Sequence, residues 1–519
     1  MKRWTVSAAL EGIGAALLLL FPYILPWVSP SNLALYPYRL PVTNLVGGLL
    51  VDLLGFAVMA TGFLVAVHYL PGTLQRTLNA LFAGFILWRI VDIAIAMQTD
   101  LQLTAYWSGV RRLSFITIFP ISILLALFLP RVTQPAARTV RLVIAGFAFC
   151  ALWMIPQLLH LALVRKPVQS AASNRPSALE SSGSNKRIVW ILFDELSYHQ
   201  TFDHPAPGLK LPNFDQLRDG SVSFSNVKQS GFYTDRIIPS LFLGRQVDRV
   251  RSTIGGDLWY EDESQNRWLA YDPKKTLFGL AQSKGWSSGV DEWTFPYCRV
   301  LASVLDVCSW ESSIMSPMES YGASEEKSVL ANAAVLPRAF LASGTDHSHS
   351  AQNTNIREYH DILAHAVTLI GDNQVRFVFL HFPVPHPPGI YDRQRHILRL
   401  GGTYLDNLVL ADDTLGLLLQ KIDSAPSSSQ TTVIVSSDHS WRIPIWRHAE
   451  FWSDEEERAS GGRFDDRPVL LIHFGDQKLS SDVSAPLPEL LEHDIIAGML
   501  CGKINNPEDL AVFLAQSRR

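Results

Sequence analysis

The sequence predicts a transmembrane domain of five helices followed by an α/β domain with a mostly parallel central sheet flanked by helices. Three observations predict it. Long hydrophobic runs fill the chain up to about residue 165. Beyond about residue 187, apolar strand-like runs alternate with helix-like runs. Asp194, Thr234, Asp438 and His439 stand where a strand runs out into a loop or where a helix begins. In an open α/β sheet, that edge is where ligands bind.

The chain has 519 residues and a formal net charge of −4. That is too long for one ordinary core and too balanced in charge for a nucleic-acid partner. Spans are expected at 6–28, 44–69, 76–98, 113–130 and 141–164. The first follows Lys2-Arg3, as a signal peptide would. It is longer than a signal's apolar core and ends in Pro-Trp-Val-Ser-Pro without a small-residue cleavage site, so it reads as an anchor. Lys2, Arg3, Arg76, Arg131, Arg138 and Arg141 fall on one side, and Arg39, Arg111, Arg112, Arg165 and Lys166 on the other. This favours an inside N-terminus. Five crossings then put everything after residue 165 outside the cytoplasm, on a multi-pass protein of the cell's inner (plasma) membrane. Tyr36, Tyr38, Tyr106 and Trp107 fall at outer helix ends, as an aromatic belt would. Glu11, Asp52, Arg89 and Asp92 lie in or near the spans. Arg89 and Asp92 share a helix face and can pair. A helix-packing network is the preferred reading, with lipid-headgroup contacts as the alternative.

Residues 165–187 form a linker. From Lys166 to Ser184 it is rich in Ser, Ala, Asn and Pro, which cannot build a core. Residues 188–519 are then expected to fold without the membrane half. Strand-like Ile188–Phe193 leads into Asp194-Glu195, and a helix is expected over Pro212 to Arg218. A short strand spans Val222 to Asn226. Thr234 opens a helix that runs to Leu243, and a helix from Thr276 to Lys284 stops at Gly285. Val375 to Phe382 is a continuous apolar strand, Tyr404 to Ile422 an amphipathic helix, 432–437 a strand before Asp438-His439, and Pro468 to Phe474 another strand. Such strands are buried on both faces, which means parallel pairing with helices outside. The acidic run Ser453 to Arg458, with Gly461-Gly462, reads as a solvated loop. Cys150 reads as packing within the fifth span. Cys298 and Cys308 can pair in an oxidising compartment. No C-x-x-C motif is present, which disfavours a zinc ribbon.

Ile-Leu-Phe-Asp194-Glu195-Leu, Leu211-Pro212-Asn213-Phe214 and Thr234-Asp235-Arg236-Ile237-Ile238-Pro239-Ser240-Leu241 resemble early blocks of the alkaline phosphatase/sulfatase superfamily. Pro385-His386-Pro387-Pro388 and Ser437-Asp438-His439-Ser440 resemble its later blocks, in the same order. With five spans in front, the layout resembles the membrane-anchored branch of lipoteichoic acid synthases and lipid A phosphoethanolamine transferases. That resemblance implies a threonine nucleophile, Thr234. It implies one or two divalent ions, zinc or manganese, held by Asp194, Thr234, Asp438 and His439. It also implies that His386 meets the substrate's phosphate.

Elementary chemistry agrees. A threonine hydroxyl is a poor nucleophile until a metal activates it, and a helix N-terminus favours the negative charge that develops. Taken alone, Thr234 reads as an ordinary N-cap. Superfamily members often carry a further histidine before a late proline. Here that place reads Asp465-Asp466-Arg467-Pro468. Either Asp466 substitutes, or His448 or His473 reaches in, or the second metal is missing. Glu195 gets a secondary role or none. A formylglycine sulfatase needs Cys/Ser-x-Pro-x-Arg, and Thr234, Arg236 and Ile238 break that pattern. The expected activity is transfer of a phospholipid-derived headgroup, of phosphoethanolamine or phosphoglycerol type, to an envelope glycan or lipid through a phosphothreonine. The partners are then a membrane lipid donor and an envelope acceptor. The alternatives are a phosphoester hydrolase of the same superfamily and a catalytically degenerate envelope scaffold.

Overall fold

The computed structural model describes residues 2–28, 41–96, 101–163, 186–252 and 257–517, apart from 263–266, 294, 312–317, 319–321, 342–346, 450 and 476. Six helices come first: α1 Lys2–Val28, α2 Thr43–His68, α3 Gly72–Ala96, α4 Leu101–Phe128, α5 Pro130–Phe147 and α6 Ala151–Leu163. Among the described residues, four segments are long and apolar enough to cross a membrane: Val6–Leu25, Thr43–His68, Gly72–Ala94 and Pro130–Leu163. The expected span 113–130 appears as the shorter apolar stretch Ile116–Phe128 of α4. At ~1.5 Å per residue it reaches roughly 20 Å, less than a hydrocarbon core. The expected loop over 131–140 is helical, because Pro130 is pre-set for a first helical turn and starts α5 directly after Leu129.

Three of the four ionisable groups singled out in this half have ionic partners, while buried Asp52 keeps Oδ2 without a hydrogen bond. Arg89 pairs with Asp92 and also donates to the Leu19 carbonyl at 2.9 Å. Arg141 Nε donates to Glu11 at 2.6 Å. The packing network is therefore what these residues form. The linker, Tyr36, Tyr38, Arg39, Arg165 and Lys166 lie outside the described residues. So do the side chains of Lys2, Arg3, Tyr106, Trp107, Arg111 and Arg112.

The α/β domain is built on eight strands: β1 Arg187–Phe193, β2 Val222–Phe224, β3 Ser288–Trp293, β4 Val307–Glu311, β5 Phe377–Phe382, β6 Thr431–Ser436, β7 Leu470–His473 and β8 Ser481–Val483. Their order is β8-β2-β7-β6-β1-β5-β3-β4. The five strands β6-β1-β5-β3-β4 are mutually parallel, and β7 runs against β6 and β2. Ile188, Trp190 and Leu192 enter one core, while Val189, Ile191 and Phe193 enter the other. A strand apolar at every position is what two covered faces require. Register pairs Leu192 with Ser436 on one side and His381 on the other. The carboxyl ends of β1, β5 and β6 therefore share one edge.

Pro212–Asp219 is α7, and Thr234–Leu243 is α8. Buried Asp412, on the Tyr404–Asp423 helix, accepts the Phe214 N–H at 2.8 Å and the Asn213 amide at 2.9 Å, capping α7. This gives the Leu-Pro-Asn-Phe block a structural role. Thr276 caps the next helix, Leu277–Ser283, and Gly285 follows at φ 74°.

Some elements escape sequence reasoning. β3 reads Ser-Gly-Val-Asp-Glu-Trp, too polar for an apolar run, yet the sheet buries every position. The acidic run forms a helix, Asp454–Ser460, and not a solvated loop. Ser453 and Glu456 make a reciprocal capping box, and buried Glu456 also accepts the Tyr404 N–H at 2.9 Å. Cys298 and Cys308 form a disulfide that ties β4 to the Tyr297–Val300 helix.

Candidate active site

Asp194 follows β1 and Asp438-His439 follow β6, so sheet register brings them together. Thr234 arrives from α8. Tyr233, not Thr234, occupies the N-cap position, and its side chain makes no cap bond. Thr234 is the first helical residue, so its hydroxyl is spared for the site. Its Oγ1 lies 3.4 Å from Asp194 Oδ2 and 3.3 Å from His439 Nε2. His439 Nε2 lies 3.0 Å from Asp438 Oδ2 and 3.8 Å from Asp194 Oδ1. All four sequence-predicted residues thus meet at one point.

The electrostatics are those of a buried polar cluster. Asp194, Asp438 and His439 are almost fully buried. Burial alone would raise the Asp438 carboxyl, but the His439 imidazole outweighs it and holds the group below the usual carboxylate range. Asp438 in turn keeps His439 above its ordinary value against burial. Asp194 Oδ1 and Asp438 Oδ2 have no hydrogen-bond partner. Asp438 Oδ2 has the His439 imidazole as its ionic partner, whereas Asp194 Oδ1 accepts no hydrogen bond, which is costly in the interior, and a divalent ion would satisfy it. Hydroxyl, carboxylate and one imidazole are ligands that zinc and manganese both accept. The residues present therefore fit such an ion.

Glu195 has φ 65°, a left-handed backbone that a glutamate rarely adopts. The turn sends neighbouring carboxylates apart. Asp194 faces Thr234, and Glu195 faces Arg442. Arg442 Nε donates to Glu195 at 2.7 Å, Trp446 Nε1 donates to it at 2.8 Å, and Arg442 Nη1 donates to the Phe232 carbonyl at 3.0 Å. One guanidinium thus links β1, the β6 loop and the loop that delivers Thr234. Glu195 has more than the secondary role expected of it, as the carboxylate that neutralises this buried cation. It also offers an atom within 4.8 Å of those of Asp194 and His439.

His386 stands at the rim, with Nε2 3.7 Å from Glu195 Oε1. Its ring is edge-on to Trp293 at 5.3 Å and Trp446 at 5.2 Å. Sequence reasoning missed His381, Glu292 and Arg442. His381 is fully buried on β5, 3.6 Å from Asp194 on one ring nitrogen and 3.6 Å from Glu292 on the other. Burial alone would lower this imidazole, but the two carboxylates raise it to about 9. The strand-end rule could have found His381 at the end of β5, and Glu292 had β3 been recognised.

The three stand-ins for a late histidine lie elsewhere. Asp466 is half-buried and pairs with Lys228 at 3.1 Å. His473 Nδ1 donates to the Gly220 carbonyl at 2.7 Å, and His473 pairs in register with Val433. Because β7 is antiparallel, that is the far end of the sheet. His448 is exposed beyond the Ile443–Trp446 helix.

No family model matches the chain, and a search of curated proteins finds no match. Among solved structures the chain is similar to the lipoteichoic acid synthase LtaP from Listeria monocytogenes, at 11% identity and TM-score 0.39, over 62% of this chain and 73% of that one. It is similar to the phosphonate monoester hydrolase of Agrobacterium radiobacter at 13% identity and TM-score 0.37, over 61% and 73%. It is also similar to murine ectonucleotide pyrophosphatase/phosphodiesterase 5 at 12% identity and TM-score 0.34, over 62% and 96%.

Proposed function

We propose that this chain is a membrane-anchored, metal-dependent phosphotransferase of the alkaline phosphatase/sulfatase superfamily. It moves a phospholipid-derived headgroup to an envelope glycan or lipid. The observation that carries this reading is the Thr234 hydroxyl, held within 3.4 Å of Asp194 and 3.3 Å of His439 at the start of α8. Asp194, Thr234, Asp438 and His439 would hold one divalent ion. Such an ion, when bound, polarises the phosphoryl group and lowers the cost of the alkoxide.

Thr234 Oγ attacks phosphorus and loses its proton as the Oγ–P bond forms. The P–O bond to the lipid alcohol breaks, and that alcohol takes up a proton. An acceptor hydroxyl then attacks the phosphothreonine, the Thr234 hydroxyl is regenerated, and the acceptor carries the headgroup. His386, at the rim, meets the phosphoryl oxygens. Water in place of the acceptor would give hydrolysis by the same first step.

Phospholipid labelled in its headgroup phosphate tests this. Label should pass to Thr234 and then to a glycan or lipid. Label released only as a free phospho-alcohol favours the hydrolase, and label that never leaves the donor sinks both. A Cys298–Cys308 bridge suits a domain outside the cytoplasm. Thiol labelling of intact cells should find these two cysteines reactive only after reduction. Permanently free thiols would overturn that orientation.

A further inference from the structure

Met318 and residues 322–336 lie between β4 and the His347–Gly371 helix, yet the buried apolar side chains described there are not part of either core of the sheet. Met318, Ala323, Val335 and Leu336 are buried in one cluster with Trp27 and Val28 of α1, Leu45, Val46 and Leu49 of α2, and Leu158 and Leu161 of α6. These are the helix ends from which the chain leaves at Leu163.

Polar contacts fix the same junction. The Glu325 carboxylate accepts the Asn44 N–H at 2.8 Å and the Leu45 N–H at 3.1 Å, while Asn44 Nδ2 donates to the Glu325 carbonyl at 2.8 Å. The residue at the N-cap position of α2, Val42, makes no side-chain cap bond. Glu325 therefore supplies the cap from far along the chain, where the helix dipole favours its charge. Buried Asn332 shapes the loop that presents it. It donates to the Ser324 carbonyl at 2.9 Å and accepts the Ser324 N–H at 3.1 Å. Gly48 admits the Val329–Ala333 helix, because a Cβ there would lie 2.6 Å from Asn332 Cβ and 3.0 Å from the Ala333 nitrogen.

We propose that Met318 and residues 322–336 are a dock, which clamps the α/β domain to α1, α2 and α6. The dock holds the reacting edge for a phosphoester whose apolar part stays in the membrane. The substrate half of this statement rests on the function proposed above. The clamp itself does not.

The test uses the full chain in phospholipid nanodiscs. Glu325→Ala removes the cap, and Gly48→Leu wedges the helix away. Leu330→Asp, at a side chain 75% exposed on that helix, is the control. Trypsin cleavage after Lys327 and Arg338 reports the undocked fraction and should rise about tenfold in both dock variants but not in the control. Turnover of the disc phospholipid should fall severalfold, while that of soluble bis-p-nitrophenyl phosphate stays within about twofold. Unchanged cleavage in both dock variants overturns the clamp. Equal losses on both substrates, or no loss on lipid, overturn its role in substrate choice. If the wild type turns over neither substrate, the functional reading fails, and the cleavage rates still decide the clamp.

Discussion

Two carboxylates reach towards the first turn of a helix in this molecule, and they differ in what they leave unsatisfied. Glu325, at the start of α2, takes N–H groups from Asn44 and Leu45. Asp194, beside the start of α8, takes the Thr234 hydroxyl on Oδ2, with His381 and His439 at 3.6 and 3.8 Å, and leaves Oδ1 buried without a hydrogen bond. Folding satisfies buried polar groups wherever it can. A carboxylate that is capped out is structure. A cluster with an orphaned oxygen on Asp194, beside a hydroxyl and an imidazole, is built for something that arrives later.

Breaking the site should have the largest effect. Asp438→Ala and His439→Ala should each lose the bound divalent ion, read by metal analysis of purified protein, and lose turnover with it. Full occupancy in both variants would remove the ligand assignment. Thr234→Ala should lower turnover by at least about 10³-fold, since a nucleophile and its activating group act as a unit. Its fold should persist, because Thr234 is not the cap of α8. Phosphoprotein in the variant, trapped by acid quench and located at another residue, would reassign the nucleophile.

The buried cation beside the site comes next. Arg442→Ala would strand Glu195 in the interior, at a cost of about 3–5 kcal/mol. Thermal unfolding in detergent should show a large loss. Pairing Arg442→Met with Glu195→Gln should recover most of it, because no charge is then left alone. If the single variant is as stable as the wild type, Arg442 is not the partner that sets Glu195.

What was legible divides along the same line. Asp194, Thr234, Asp438 and His439 could be read because their positions follow from local rules: a strand ends, a helix begins, and parallel register aligns the ends. The sheet was legible wherever strands are apolar throughout, as in β1 and β5. β3 was not, because Asp291 and Glu292 are polar residues that only its neighbours explain. The dock was illegible for a further reason. Met318, Val335 and Leu336 look like ordinary core residues, and nothing in their own sequence says that their partners lie on α1, α2 and α6. The late-histidine question was posed in terms of Asp466, His448 and His473, when the groups packed against the site are Arg442 and His381.

The smallest effect expected tests a cap that is purely structural. Ser453 accepts the Glu456 N–H, and Glu456 accepts the Ser453 N–H at 2.8 Å and the Tyr404 N–H at 2.9 Å. Ser453→Ala removes one half of the box and should cost about 1 kcal/mol, with turnover unchanged. Glu456→Ala should cost more. It frees a half-buried donor at Ser453 and a buried one at the start of the Tyr404–Asp423 helix, whose Asn407 donates to the His386 carbonyl at 2.9 Å. Turnover in Glu456→Ala should therefore fall modestly, through the rim. Equal stability losses in the two variants, with no change in turnover, would mean that the acidic helix is a surface element uncoupled from the site. A larger loss for Glu456→Ala, measured by thermal unfolding and accompanied by weaker substrate binding, would mean that a satisfied carboxylate on the surface side holds the rim in place for the unsatisfied one within.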